Sequence, residues 1–368
     1  MKFARLLSIA ALIAALTGCE LIVLDAPGDV AAQQGDLIIY ATVLMLIVII
    51  PVMALTVFFA WHYRDSNKEA QYEPDWDHSI SLEIVVWSVP LAIIICLAGL
   101  TWVATHRLEP YDPLRRISET QPVDPNVEPM VIQVVAMDWK WLFLYPEHNI
   151  ATVNEVAAVV DRPIEFQLTS ATVMNSFYVP ALAGQIYAMA GMRTELNAVM
   201  NEAGTYPGFS ANYSGAGFSQ MHFDFHAFDE DEEFDAWVDT VRSGGSGLDR
   251  ASYLELERAS VNDPVIYYDE IQEGLWDRIL NMCVGPDDLC LNDMMMVDAL
   301  GGGGVAGLFN RELYRGLCSA DDPRALFAIL KPSRLDKEQD IETLISSLMP
   351  DDTRRLPRST AQIPLALE

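Results

Sequence analysis

Two uncharged apolar runs, residues 37–61 and residues 84–104, constrain this chain more than any other feature. Each supplies the roughly 20 apolar residues that a helix needs to cross a hydrocarbon core of about 30 Å. Backbone polar groups in lipid must be satisfied within the segment, so the runs read as two transmembrane helices, 37–61 and 82–104. Pro51 and Pro90 lie inside them and predict kinks. Tyr40, Trp61, Tyr63, Trp87 and Trp102 fall toward the span ends, where aromatic rings anchor at the interface, although Trp87 suits a partner helix equally well. Cys96, in mid-span, reads as an inert apolar thiol.

The chain starts with Lys2 and Arg5, an apolar run over residues 6–16, and then Thr17, Gly18 and Cys19, the layout of a secretory signal. The string L-T-G-C at residues 16–19 resembles a bacterial lipobox, which implies a signal peptide (1–18) and lipidation at Cys19. The alternative is an ordinary signal in which Cys19 is incidental. Charge does not set the orientation, because Arg64 and Lys68 lie between the spans while Arg107, Arg115 and Arg116 follow them. The signal does. A processed Cys19 begins a periplasmic segment (19–36), the loop 62–81 is then cytoplasmic, and everything after the second span is periplasmic.

The chain of 368 residues is 51% hydrophobic yet carries a formal charge of −29, so membrane spans are joined to a strongly acidic aqueous part. Pro110, Pro113, Pro122, Pro125 and Pro129 favour an extended linker over residues 105–129. Short β-rich runs then follow in close succession (VIQVVAM, WKWLFLY, PIEFQLTS, QIYAMAG, ELNAVMN, SQMHFDFHAF), separated by turns, which predicts an all-β sandwich or barrel over residues 130–243. The runs alternate imperfectly, as strands do when one face meets a core and the other a partner. Behind the acidic residues 229–233, Phe234, Trp237, Val238 and Val241 at i, i+3, i+4 and i+7 predict a short amphipathic helix. Residues 244–368 form a C-terminal extension with a helix predicted around residues 268–282 and a glycine run at 301–304. Its pattern specifies no compact fold.

Six strings point to a family: VMNSFYVP (173–180), QIYAMAGM (185–192), SANYSGAGFSQM (210–221), MDWKW (137–141), FAWHYR (59–64) and VVWSVP (85–90). Together they resemble subunit II of the haem-copper terminal oxidases, in the quinol-oxidising branch typified by the bo-type ubiquinol oxidase, over residues 16–282. The resemblance implies a two-helix transmembrane hairpin plus an all-β, cupredoxin-like periplasmic sandwich lacking CuA, with a partly helical C-terminal extension. Copper-bearing relatives carry a C-x-E-x-C-x3-H-x2-M loop and one more histidine in an H-S-F/W-x-V-P segment. Such a centre needs soft thiolates and imidazoles. Here Asn175 stands at the first histidine position, Ser210 and Ser214 at the cysteines, Asn212 at the glutamate and Phe218 at the second histidine. Met221 remains, more simply as a core side chain than as a ligand.

By that resemblance the chain binds no cofactor itself. Electrons from ubiquinol would pass to haems and CuB on subunit I of a proton-pumping oxidase, and this chain would be a redox-silent subunit packed on subunit I. Subunit III, a small subunit IV and membrane lipids complete the expected surroundings in the bacterial inner membrane, with no nucleic acid. The quinol site is expected on the partner.

Other side chains have a plainer reading beside a sharper one. Trp139 and Trp141 suit packing better than electron relay, since no copper stands behind them. His222 and His226, four apart on one strand, would lie about 13 Å from each other, too far to share an ion, and read as solvated histidines. Cys283 and Cys290 lie close enough in sequence for a disulfide in an oxidising compartment, with Cys318 left over. Met294, Met295 and Met296 beside those thiols suggest Cu(I) handling, but helix packing is simpler. The acidity favours solubility over steering of a basic cytochrome. No P-loop, dinucleotide or hydrolase motif is present. Two rivals stand beside the quinol-oxidase reading: a CuA-type cytochrome c oxidase subunit, and a solitary membrane lipoprotein for assembly or copper handling.

Overall fold

The computed structural model describes residues 22–299 except Tyr72, Pro74, Pro125, Asp287 and Leu289. The signal segment, Cys19, the glycine run and Cys318 lie outside the described residues. The two apolar runs form α1 (Asp29–His62) and α2 (Ile80–Arg107), each continuous through its proline. At 1.5 Å per residue α1 is about 51 Å long and α2 about 42 Å, so both overreach the hydrocarbon layer. Their apolar side chains point outward on all sides, Met53, Val57, Trp87, Ile95 and Trp102 among them, so lipid or partner helices must cover them.

The surplus of α1 is held by the aqueous part. Gly28 N–H donates to the Ala181 carbonyl at 2.9 Å, and the Asp29 N–H to Asn201 Oδ1 at 3.0 Å. Asn201 Nδ2 also donates to the carbonyl of Ile117 and to Asp161 Oδ1, so one amide joins the first span, the segment after the second and the sandwich. That segment is not the free linker expected for 105–129. It carries β1 (Arg116–Ser118) and β2 (Gln121–Pro122) as a small hairpin, with Ile117 buried and Arg116 Nε 2.9 Å from Asp29 Oδ2. The second helix takes residues 105–107 of that stretch and no helix follows before β3, while the burial of Ile117 is a matter of tertiary contact.

Ten strands build the sandwich: β3 (Met130–Met137), β4 (Lys140–Tyr145), β5 (Ile150–Val153), β6 (Glu155–Val159), β7 (Ile164–Ser170), β8 (Asn175–Tyr178), β9 (Ile186–Ala188), β10 (Thr194–Ala198), β11 (Gly204–Ser210) and β12 (His222–Phe228). One sheet runs β10-β7-β3-β4-β5 and the other β6-β12-β11-β8-β9. Between them lies a core in which Phe177 stacks on Phe223 at 5.2 Å and Trp141 meets both edge-on. The predicted amphipathic helix is α3 (Asp231–Gly244), burying Phe234, Val238 and Val241.

The sandwich does not end at residue 243. β13 (Gly247–Leu248), α4 (Arg250–Leu256), β14 (Ile266–Tyr268), β15 (Glu270–Ile271) and α5 (Leu275–Leu280) follow, and β14 pairs with β5 as a sixth strand of the first sheet. The helix expected around 268–282 is thus confined to α5. Leu248, Tyr253, Leu256, Leu275 and Ile279 form a second core against Val135, Met137, Leu142 and Leu144 on the outer face of that sheet. All six residues of β4 are therefore buried, because the strand is covered on both faces. The partner implied by the imperfect alternation is this chain's own later segment. A last helix, α6 (Leu291–Ala299), belongs almost wholly to a separate unit that begins at Asn292.

Candidate functional site

Asn175 opens β8 and Ser210 closes β11, neighbouring antiparallel strands with Ser210 opposite Phe177, so sheet pairing brings the first histidine position beside the first cysteine position. Both side chains are buried, and Ser210 Oγ donates to Asn175 Oδ1 at 3.1 Å. Asn175 Nδ2 donates to the Val173 carbonyl at 3.1 Å and Asn212 Nδ2 to the Met174 carbonyl at 3.2 Å. Backbone bonds clamp the loop's ends: Ala211 N–H donates to the Ser176 carbonyl, and Ser210 N–H to that of Met221. The Ser214 hydroxyl is buried without a partner among the described residues. Phe218 is half-buried, its ring 5.6 Å from that of Tyr213, and Met221 is fully buried.

Trp139, on the turn between β3 and β4, keys this loop in place. Its Nε1–H donates to the Ser214 carbonyl at 3.1 Å. The ring lies on Gly215 and Gly217, and a Cβ at Gly217 would come within 2.4 Å of it. Gly215 has φ +119°, a conformation that glycine alone adopts freely. One flat ring thus holds residues 214–217 by a hydrogen bond and by close packing on two glycines.

The residues do not fit a CuA centre. Two amides, two hydroxyls and a phenyl ring offer no thiolate and no imidazole, and Met221 alone is a weak donor. Among the described residues no group of three or more His, Cys, Asp or Glu is placed to hold a metal ion. Of the six positions, Asn175 and Ser210 are hydrogen-bonded to each other and Asn212 reaches the carbonyl of Met174, while the side chains of Ser214, Phe218 and Met221 make no hydrogen bond among the described residues.

The other singled-out residues lie apart from it. Trp141 is a core side chain. His222 Nε2 is 2.9 Å from the Ser219 carbonyl on the exposed face of β12. His226 is not simply solvated: its Nδ1 meets Thr205 Oγ1 at 3.0 Å and its Nε2 is 3.6 Å from Glu155 Oε2. Cys283 and Cys290 are joined by a disulfide, with Gly285 N–H donating to Asp288 Oδ2 inside the small loop.

Sequence reasoning missed Glu155. From the start of β6 its Oε1 accepts from Trp237 Nε1 at 2.7 Å and from the Tyr267 hydroxyl at 2.9 Å, joining the sandwich to α3 and β14. Burial opposes its charge, but the hydrogen bonds from His226, Trp237 and Tyr267 outweigh it and hold the carboxyl below its usual range. The bond to Glu155 raises His226 in turn, while burial and then the Glu155 carboxylate push Tyr267 up to about 12. A lone acid opening the apolar run EVAAV was the only signal, and it named no partner.

Comparison with known proteins fixes the family. Cytochrome bo(3) ubiquinol oxidase subunit 2 of Pseudomonas putida is 48% identical over 270 residues, covering 73% of this chain and 83% of that protein. The chain belongs to the ubiquinol oxidase subunit 2 family. Another member, ubiquinol oxidase subunit 2 of Acetobacter aceti, is 48% identical over 265 residues, 72% of this chain and 83% of that one. The family model described as COX Aromatic Rich Motif matches residues 242–287, the segment that supplies Tyr253, Tyr268 and Trp276 to the outer face of the sheet and Tyr267 to the core between the sheets. Among solved structures, the periplasmic domain of subunit II of cytochrome oxidase of Bradyrhizobium japonicum aligns with TM-score 0.30 at 23% identity, over 32% of this chain and 96% of that one. In this member of the family the loop 210–221 at the rim of the sandwich, the aromatic-rich segment and the two apolar helices belong to one polypeptide.

Proposed function

We propose that the chain is the non-catalytic subunit of a proton-pumping ubiquinol:oxygen oxidoreductase, carrying no cofactor, while haems and CuB reside on subunit I. One observation carries the reading: every position that would ligate CuA, Met221 apart, holds a side chain whose polar atoms bond between residues 173–175 and 210–212 or find no partner, or that has no polar atom at all. Without that relay, electrons enter from ubiquinol in the membrane and never cross this domain. The work left to the chain is architectural. Its outward-facing apolar helices pack on subunit I, with subunits III and IV nearby, and the exposed Val173, Met174 and Tyr213 at the rim cover that partner's periplasmic face. Localisation in the inner membrane and lipidation at Cys19 after removal of residues 1–18 complete the reading.

The test is made on the purified complex. It should oxidise ubiquinol, contain haem and a single copper per assembly, show no near-infrared CuA band and ignore reduced cytochrome c. A CuA band, or turnover driven directly by cytochrome c, would refute the proposal. Isolation of the chain without a haem-bearing polytopic partner would favour the solitary lipoprotein.

A further inference from the structure

A cavity of about 310 Å³ opens where α1 leaves the membrane, between the end of α2, the segment leading to β1, and the sandwich. Its depth follows from the helices. Gln34 lies three residues ahead of the uncharged run of α1 and Arg107 three residues beyond that of α2, so both stand about 4.5 Å of helix rise beyond the ends of the apolar runs. The headgroup layer is about 5–7 Å thick on each side, so the cavity opens at the level of lipid phosphates.

Its wall carries both signs of charge. Arg116 is committed to Asp29 at 2.9 Å, and Arg115 touches Asp112 only at 3.6 Å with both side chains largely exposed. Arg107 and Glu109 line the same cavity, and neither side chain has an ion-pair or hydrogen-bond partner among the described residues. Three arginines thus face three carboxylates in a chain whose formal charge is −29. A purely anionic ligand would be drawn by the arginines and repelled by the carboxylates. A zwitterion satisfies both.

We propose that this cavity binds the headgroup of a zwitterionic phospholipid bearing a primary amine. The guanidinium groups of Arg107 and Arg115 hold the phosphodiester, Glu109 and Asp112 hold the ammonium, and Gln34 donates to a phosphate oxygen. Guanidinium forks match phosphate oxygens bidentately, and a compact ammonium fits between carboxylates. The acyl chains leave along the exposed apolar surface of the two spans. The lipid then adds to the junction between hairpin and sandwich that Asn201 already joins.

The test uses the intact complex in nanodiscs of mixed phosphatidylethanolamine and phosphatidylglycerol, with lipid retained after detergent extraction counted by native mass spectrometry. One phosphatidylethanolamine per copy is expected above the count of a complex whose cavity is changed. Arg107→Gln with Arg115→Gln should weaken its retention about thirtyfold, the loss expected when two charge-assisted bonds become neutral ones. Glu109→Gln with Asp112→Asn should shift the retained lipid toward phosphatidylglycerol, a change of preference that mere unfolding would not produce. Unchanged lipid count and preference in both variants would overturn the proposal. So would displacement by excess inorganic phosphate, which would mark a site for the free anion, or equal retention of the two lipids by the parent.

Discussion

Replacing Glu155 by Gln tests how the sandwich and its aromatic-rich covering are joined. The amide keeps a carbonyl acceptor for Trp237 Nε1 and the Tyr267 hydroxyl, at 2.7 and 2.9 Å in the parent, but removes the charge. A hydrogen bond to a charged group contributes about 1.5–3 kcal/mol and one to a neutral group about 0.5–1.5, so two such bonds lose about 2 kcal/mol together. That is about a thirtyfold change in the folded-to-unfolded ratio. The pH dependence has a definite sign. Glu155 is held low, so its contribution is present above its ordinary value of 4.5 and is lost as pH falls through the lower folded value. His226 is held high by Glu155, with Asp224 adding to it, so its contribution is present below 6.5 and is lost as pH rises through the higher folded value. These two groups together favour the window between 4.5 and 6.5. Urea unfolding of the full-length chain in detergent, followed by tryptophan fluorescence, should show the parent weakening as pH rises from about 6 to about 8 and Glu155→Gln flatter and weaker. Equal urea midpoints for parent and variant at about pH 6, or a parent whose stability ignores that pH range, would refute the coupling.

Three further outcomes follow from the packing. The Tyr145 hydroxyl donates to the Ala157 carbonyl at 2.9 Å and accepts from its N–H at 2.8 Å on the outer edge of β6, so Tyr145→Phe leaves two buried backbone groups unpaired. Its cost should be about 2–4 kcal/mol in the same unfolding assay. Gly217→Ala drives a methyl into the Trp139 ring and should cost about 1–3 kcal/mol, relieved in the double variant with Trp139→Leu; additive losses would disprove the contact. The combined substitutions Asn175→His, Ser210→Cys, Asn212→Glu, Ser214→Cys and Phe218→His should create a copper site with a near-infrared band, since sheet pairing already brings the strand ends together. Failure in a folded protein would show that the rim backbone no longer matches that of a copper-bearing domain.

Much of this was legible because the signals are local. An uncharged run of sufficient length is a helix in lipid whatever surrounds it, and Phe234, Val238 and Val241 bury one face of α3 at the spacing the sequence showed. The chemical poverty of the rim needed only the identities of Asn175, Ser210, Asn212, Ser214, Phe218 and Met221 at a known spacing. The covering of β4 was visible only as a defect in alternation, because a strand records that both faces are buried but not by what.

The sequence by itself determined two apolar helices long enough to cross a membrane, a β-rich acidic body and a loop whose residue types do not make a CuA ligand set, since each depends on residue type within a short stretch. Tertiary structure alone decided that residues 247–284 cover the outer face of the first sheet, that Glu155 gathers His226, Trp237 and Tyr267, and that Asn201 fastens the first span to the body. Those contacts join residues from about 70 to more than 170 positions apart, and no periodicity reaches that far. Burial and pairing at such separations are fixed only when the two sheets close on one another.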